Sequence, residues 1–168
     1  MITLVTIYFA RLRANARIPA KRLEDAGYDI YVCIDASTFR IGAGETALVP
    51  TGVASAFDAA WYLQLCERGS LGARGLAVRS GVIDSGFRGE WLVGLTNHNA
   101  IPLYIADAEG RAELARDDEP KWIHPAEKAI CQAVLLPVPE TEVREITPNA
   151  LLSMPSLRGA GMLGSSGK

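Results

Sequence analysis

Residues 28–35 alternate without a break. Tyr28, Ile30, Val32 and Ile34 fall on one face, and Asp29, Tyr31, Cys33 and Asp35 on the other. A period of two belongs to a β-strand, because successive side chains leave opposite sides of the pleat. Residues 61–66 repeat the pattern, with Trp61, Leu63 and Leu65 opposite Tyr62, Gln64 and Cys66. Shorter apolar runs at 46–54, 75–78, 90–96, 101–106 and 129–138 predict further strands. Met1–Ala10 reads as a first strand, being apolar but too short to span a bilayer. Pro102 and Pro137 lack the N–H that a ladder uses, which predicts edge strands or bulges at those two places.

Helical periodicity is scarce. Glu109–Asp118 contains helix formers but one large apolar residue, and predicts an exposed loop or hairpin tip within an insertion at 107–121. Residues 10–26 are polar and irregular. Short strands punctuated by 16 Gly and 9 Pro predict an all-β fold, a distorted jelly roll or barrel-like closure that hides sheet edges. Residues 148–168 differ, since four Gly, four Ser and two Pro among them cannot build a core. The expected organisation is a β domain over 1–147 followed by a flexible arm over 148–168.

Composition narrows the functional classes. With 168 residues, the chain is long enough for one self-sufficient core. Seventeen basic residues against nineteen acidic ones give a net charge of −2, without the basic excess of a duplex-DNA binder. Neither a nucleic-acid nor a membrane partner is expected. Cys33, Cys66 and Cys131 are an odd, dispersed set, which argues against a disulfide framework and for a reducing compartment, by default the cytoplasm. No Cys/His cluster has zinc-ligand spacing.

Four segments carry candidate chemistry. Gly159-Ala-Gly161-Met-Leu-Gly164 is formally a GxGxxG, but it opens no helix and nearly ends the chain, so it fails as a dinucleotide fingerprint. Its small residues would let backbone N–H groups wrap an anion, with Arg158 and Lys168 supplying charge; the alternative is a floppy end. Glu67-Arg68-Gly69-Ser70-Leu71-Gly72-Ala73-Arg74-Gly75 combines guanidinium, hydroxyl and glycines, which suits an oxyanion. In Gly81-Val82-Ile83-Asp84-Ser85-Gly86-Phe87-Arg88-Gly89, the carboxylate follows an apolar pair and precedes a turn. It either bonds its own backbone or orients a water at a pocket floor. Asp25-Ala-Gly-Tyr-Asp29-Ile30 places an acid at a strand start.

Taken in order, Ala-Gly-Tyr-Asp-Ile (26–30), Arg-Gly-Ser-Leu-Gly (68–72), Gly-Val-Ile-Asp-Ser-Gly-Phe-Arg-Gly (81–89), Ile-Cys-Gln (130–132) and Arg-Gly-Ala-Gly-Met-Leu-Gly-Ser-Ser-Gly (158–167) resemble the five motifs of the trimeric dUTPase family. The resemblance implies a jelly-roll-like fold, a homotrimer with sites between subunits, and a C-terminal arm that closes over each site. It implies hydrolysis of dUTP to dUMP and pyrophosphate with Mg²⁺. By matching position, Asp84 would activate the water that attacks the α-phosphorus, and Asp29 would hold Mg²⁺ through water. Arg68, Gly69, Ser70, Gln132, Arg158, Gly164, Ser165 and Ser166 would bind the triphosphate. Gly81, Val82 and Ile83 would read the base by backbone. Phe87, where the family usually has Tyr, would pack on the deoxyribose, and Leu163, where it usually has Phe, would cover the base.

Two other functions compete. A dCTP deaminase, or a bifunctional dCTP/dUTP enzyme, shares fold and motifs but needs an acid near the base, and the matching position here is Gly94. A non-enzymatic trimeric binding module would keep the fold and lose the acid, whereas Asp29, Arg68, Asp84, Gln132 and Arg158 are all present.

Overall fold

The structure is a computed structural model that describes residues 4–79 and 81–160. It divides at Val138/Pro139 into two units. The first is all-β: β1 (Tyr8–Arg11), β2 (Gly27–Ile30), β3 (Thr38–Ile41), β4 (Thr46–Pro50), β5 (Val53–Ala56), β6 (Trp61–Cys66), a helical turn α1 (Gly69–Gly72), β7 (Leu76–Arg79), β8 (Val82–Asp84), β9 (Leu92–Asn97), β10 (Leu103–Ala106), α2 (Ala108–Leu114), β11 (Trp122–Pro125) and β12 (Cys131–Pro137). Four open sheets form, ordered β1-β5, β11-β10-β3, β2-β12-β6-β8 and β4-β9-β7. The all-β expectation holds, but among the described residues no sheet closes into a barrel. Among the described residues no helix is long and apolar enough to cross a membrane, and all three cysteines are free.

The strand β6 is the one that periodicity located to the residue: Leu63 and Leu65 enter the core while Tyr62, Gln64 and Cys66 stay half-buried outside. Elsewhere the ladder departs from the pattern. The expected strand 28–35 stops at Ile30, because Val32 and Cys33 both turn into the core. The run 46–54 splits into β4 and β5 at Gly52, whose φ of 67° is left-handed. A Cβ at Gly52 would lie 2.7 Å from Ala16 Cβ and 2.8 Å from Cys33 Sγ, so a side chain has neither the backbone nor the room. Of the predicted first strand, only Tyr8–Arg11 pairs among the described residues. Strands β3, β8 and β11 carried too little pattern to be foreseen.

Two expectations are corrected. The strands beside the prolines are central in their sheets, not edges: β10 lies between β11 and β3, and β12 between β2 and β6. Pro102 merely precedes β10, and Pro137 is the last residue of β12, so the missing N–H falls at a strand end. The 109–118 segment is not a loop or hairpin tip but contains α2. Asp107 caps that helix by accepting from the Gly110 N–H at 2.8 Å. Gly110 packs so closely that a Cβ would sit 2.3 Å from the Ser37 carbonyl oxygen, which anchors the helix without an apolar face.

One core joins the sheets, and Trp91 is its largest fully buried side chain. The Phe9 ring meets it edge-on at 5.6 Å. Trp91→Ala should lower the unfolding free energy by about 3–5 kcal/mol, read from the urea midpoint; a loss below about 1 kcal/mol would mean that the core collapses around the gap.

The second unit is described by itself. Thr147 caps the short helix α3 (Pro148–Leu152) by accepting from the Ala150 N–H at 3.2 Å, and Pro148 occupies its first turn. Ser156 Oγ accepts from the N–H groups of Arg158 and Gly159, and Gly159 has a φ of 55°. Residues 139–160 are exposed throughout.

Candidate functional site

Register builds the first cluster. Gln132 on β12 lies opposite Asp29 on β2 and opposite Cys66 on β6, so three distant segments meet on one sheet face. Gln132 Nε2 donates to Asp29 Oδ1 at 3.4 Å. Arg68 follows Cys66 by two residues and brings its Nε to 3.4 Å from the same oxygen. It also directs Nη1 at the Ala129 carbonyl, at 3.5 Å. The neighbouring turn is pinned by the buried His124, whose Nε2 is 3.3 Å from the Lys128 carbonyl oxygen; burial holds its pKa below the ordinary range. A cleft of ≈ 540 Å³ opens here, lined by Ala20, Lys21, Arg22, Asp25, Asp29, Arg68 and Gln132. That volume suits a small ligand.

Gly69 and Ser70 begin α1 and are exposed, outside this lining. Glu67 turns the other way and accepts the Val78 N–H at 2.9 Å, which holds its carboxyl below the usual carboxylate range. It thereby ties the end of β6 to β7.

The second cluster is at the far end of the same sheet. Among the described residues, strand β8 pairs only with β6, with Tyr62 opposite Asp84 and Gln64 opposite Val82. The Leu65 N–H donates to the Gly81 carbonyl at 2.6 Å, and Gln64 Nε2 donates to it at 3.1 Å. The Gly81 acceptor is therefore already occupied. Antiparallel pairs alternate, so Ile83 bonds inward toward β6 while the Val82 and Asp84 peptides face the open edge. Backbone available for reading a ligand is thus concentrated at the Val82 peptide groups and the Asp84 N–H rather than at Gly81 or Ile83.

Asp84 ends β8 exposed, and its carbonyl accepts the Phe87 N–H at 3.1 Å in a tight turn. The Phe87 ring lies over Gly89, where a Cβ would be 2.6 Å from the ring, so glycine is needed for that pose. Asp84, Phe87, Val82 and Glu90 line a hollow of ≈ 260 Å³. Glu90 is committed to structure: it accepts from the Gly52 N–H at 2.8 Å and pairs with Arg13 at 3.2 Å.

The two clusters do not meet in one chain. Four residues along β6 and three strand spacings across the sheet separate Asp84 from Asp29 by about 20 Å. Both nevertheless lie on the outward face of one sheet. Arg158 belongs to the second unit, and the predicted residues Leu163, Gly164, Ser165 and Ser166 lie outside the described residues. The sequence reading missed Lys21 and Arg22, which line the first cleft, and gave no role to Asp25 beside them. The signal was a Lys-Arg pair just ahead of the 25–30 motif, in a stretch that looked merely irregular.

The chain has known relatives. A family model described as dUTPase matches residues 14–114, a span that includes Asp29, Arg68 and Asp84. The deoxyuridine 5'-triphosphate nucleotidohydrolase of Gloeobacter violaceus is 34% identical over 146 residues, covering 85% of this chain and 83% of that one. The protein of the same description from Nautilia profundicola is 31% identical over 162 residues, covering 94% and 96%. Among solved structures, a mutant dUTPase of Staphylococcus bacteriophage 80alpha with dUpNHpp superposes with a TM-score of 0.74 over 97% of this chain and 99% of that one. At 21% identity, that likeness speaks for the fold alone. With the family model spanning more than half of the residues and two relatives above 30% identity matched over most of their length, the chain belongs to the dUTPase family.

Proposed function

We propose that this protein hydrolyses dUTP to dUMP and pyrophosphate, in sites shared between the subunits of a homotrimer. One observation carries the reading. A cation-lined cleft and a solitary exposed acid occupy opposite ends of one sheet face, too far apart to act on one nucleotide within a chain. A head-to-tail ring of copies brings the cleft of each subunit to the Asp84 end of the next.

In such a site the triphosphate lies against Arg68 and Gln132. Guanidinium and amide donors match phosphate oxygens and stabilise the charge that builds on them in the transition state. The base reaches the outer edge of β8, where the Val82 N–H and carbonyl and the Asp84 N–H offer a donor–acceptor pattern suited to uracil. The Phe87 ring packs on the deoxyribose and leaves a 2′-hydroxyl no partner. Asp84 holds a water in line with the α-phosphorus and takes its proton as the bond to the pyrophosphate group breaks. The arm from 148 to 168, with Arg158, Leu163, Gly164, Ser165 and Ser166, closes over the bound nucleotide.

The donor set also suits Mg²⁺. Among the described residues no three His, Cys, Asp or Glu side chains converge, and the cleft offers the half-exposed Asp29 carboxylate. A small hard ion that keeps its waters and takes phosphate oxygens as ligands needs little more. Asp29 would hold it through water. When bound, Mg²⁺ neutralises triphosphate charge. Against the deaminase reading, β9 carries no acid, and a Cβ at Gly94 would lie 3.0 Å from the Arg79 carbonyl oxygen.

A pyrophosphate-release screen over the four standard dNTPs, dUTP and UTP, with Mg²⁺ present, tests base, sugar and reaction together. Release should be confined to dUTP, with UTP slower by about 10²-fold or more. Ammonia from dCTP would turn the reading to deamination, and no release from any substrate would turn it to a binding module.

A further inference from the structure

The cleft beside Asp29 contains two cations that none of the motifs includes. Both follow Ala20, whose carbonyl accepts the Asp29 N–H at 2.8 Å. That single bridge fixes the backbone of residue 21 beside the strand that carries Asp29. The cleft lining holds three cations, Lys21, Arg22 and Arg68, against two carboxylates, Asp25 and Asp29.

Two of the cations have a carboxylate each. Arg22 donates from Nε and Nη2 to the two Asp25 oxygens at 2.9 and 3.2 Å, and this holds the Asp25 carboxyl below its usual range. Arg68 faces Asp29 at 3.4 Å. Lys21 is different. Its ammonium donates to the backbone carbonyls of Asp25 at 2.6 Å and Arg22 at 3.5 Å, and it stands 5.7 Å from the Tyr28 ring centroid. Among the described residues no carboxylate lies within 4.0 Å of it. Carbonyls and a ring face hold an ammonium in place without cancelling its charge. The excess positive charge of the cleft is therefore that of Lys21, and an ammonium has a third donor to give.

We propose that Lys21 is a second phosphate-binding cation of the site, gripping the outer phosphates of the substrate and then the departing pyrophosphate. The proposal rests on the dUTP reading above. It follows from charge: Arg68 approaches the phosphates with its own charge offset by Asp29 at 3.4 Å, whereas Lys21, at the same cleft wall, faces the Asp25 carboxylate only from beyond ion-pair distance.

The test uses Lys21→Met and Lys21→Arg in the full chain. The methionine variant should raise KM for dUTP about tenfold, more than it lowers kcat. It should weaken competitive inhibition by inorganic pyrophosphate by the same factor and leave inhibition by dUMP within about twofold, while arginine restores most of the loss. Equal weakening by both products would mean that Lys21 only shapes the 21–25 turn, and an unchanged KM and pyrophosphate constant would also overturn the proposal. Calorimetric titration of wild type and Lys21→Met with inorganic pyrophosphate and Mg²⁺ separates the two readings. If the variant loses pyrophosphate affinity in a protein that does not turn over dUTP, the dUTP reading falls and the phosphate role stands. If dUTP is hydrolysed and pyrophosphate affinity is unmoved, the Lys21 proposal alone falls.

Discussion

Asp84→Asn should lower kcat on dUTP by about 10²–10⁴-fold and leave KM nearly unchanged, because it removes a proton acceptor without removing a binding group. The substitution is close to isosteric. The bond that shapes the turn, Phe87 N–H to the Asp84 carbonyl, is made by backbone and survives. Asp84 is exposed, so the loss cannot be assigned to a disturbed core. Binding of dUpNHpp, measured by calorimetry, should stay within about threefold of wild type if the amide is tolerated beside the phosphates. Retained turnover would mean that another group takes the proton. Glu90 lines the same hollow, but its oxygens are engaged by Gly52 and Arg13, which leaves it poorly placed to substitute.

Two inactive variants should restore each other. Asp84→Asn spoils one end of the sheet face, and Arg68→Ala spoils the other. In a head-to-tail trimer each site takes its cleft from one subunit and its acid from the next. Random reassembly of an equal mixture should therefore recover about a quarter of the wild-type turnover, since only one pairing in four joins an intact cleft to an intact acid. The mixture must be dissociated in denaturant and refolded together, with each variant refolded alone as a control. Activity no higher than that of the separate variants would place both half-sites in one chain and refute the shared-site reading. The prediction follows from the roughly 20 Å between Asp29 and Asp84, which no side-chain rotation spans.

Much of the fold was legible because it is local. Alternation located β6 to the residue, since one face of that strand is core and the other is not. The same reading overran at 31–35, where Val32 and Cys33 are both buried; periodicity assumes a flat two-faced strand, and here the chain leaves the sheet. Helix α2 escaped notice because it lacks an apolar stripe. It is held by the Asp107 cap and by the close packing of Gly110 on Ser37, and the latter is a tertiary contact. The prolines were misjudged for a related reason: Pro137 stands at a strand terminus, where no donor is missed, and that position depends on how far the partner strand runs.

Order of residue types along the chain sufficed for the all-β class, for the family and for the candidates Asp29, Arg68, Asp84 and Gln132, because strand periodicity, turn chemistry and motif order are written in consecutive residues. Three-dimensional pairing decided which of them meet. Gln132 reaches Asp29 across 103 positions through strand register, Lys21 reaches the cleft through one bridge at Ala20, and Asp84 is carried to the opposite end of the sheet. Such encounters depend on long-range hydrogen bonding and burial, in which every residue answers to partners that are remote along the chain, so no local window of residues contains them.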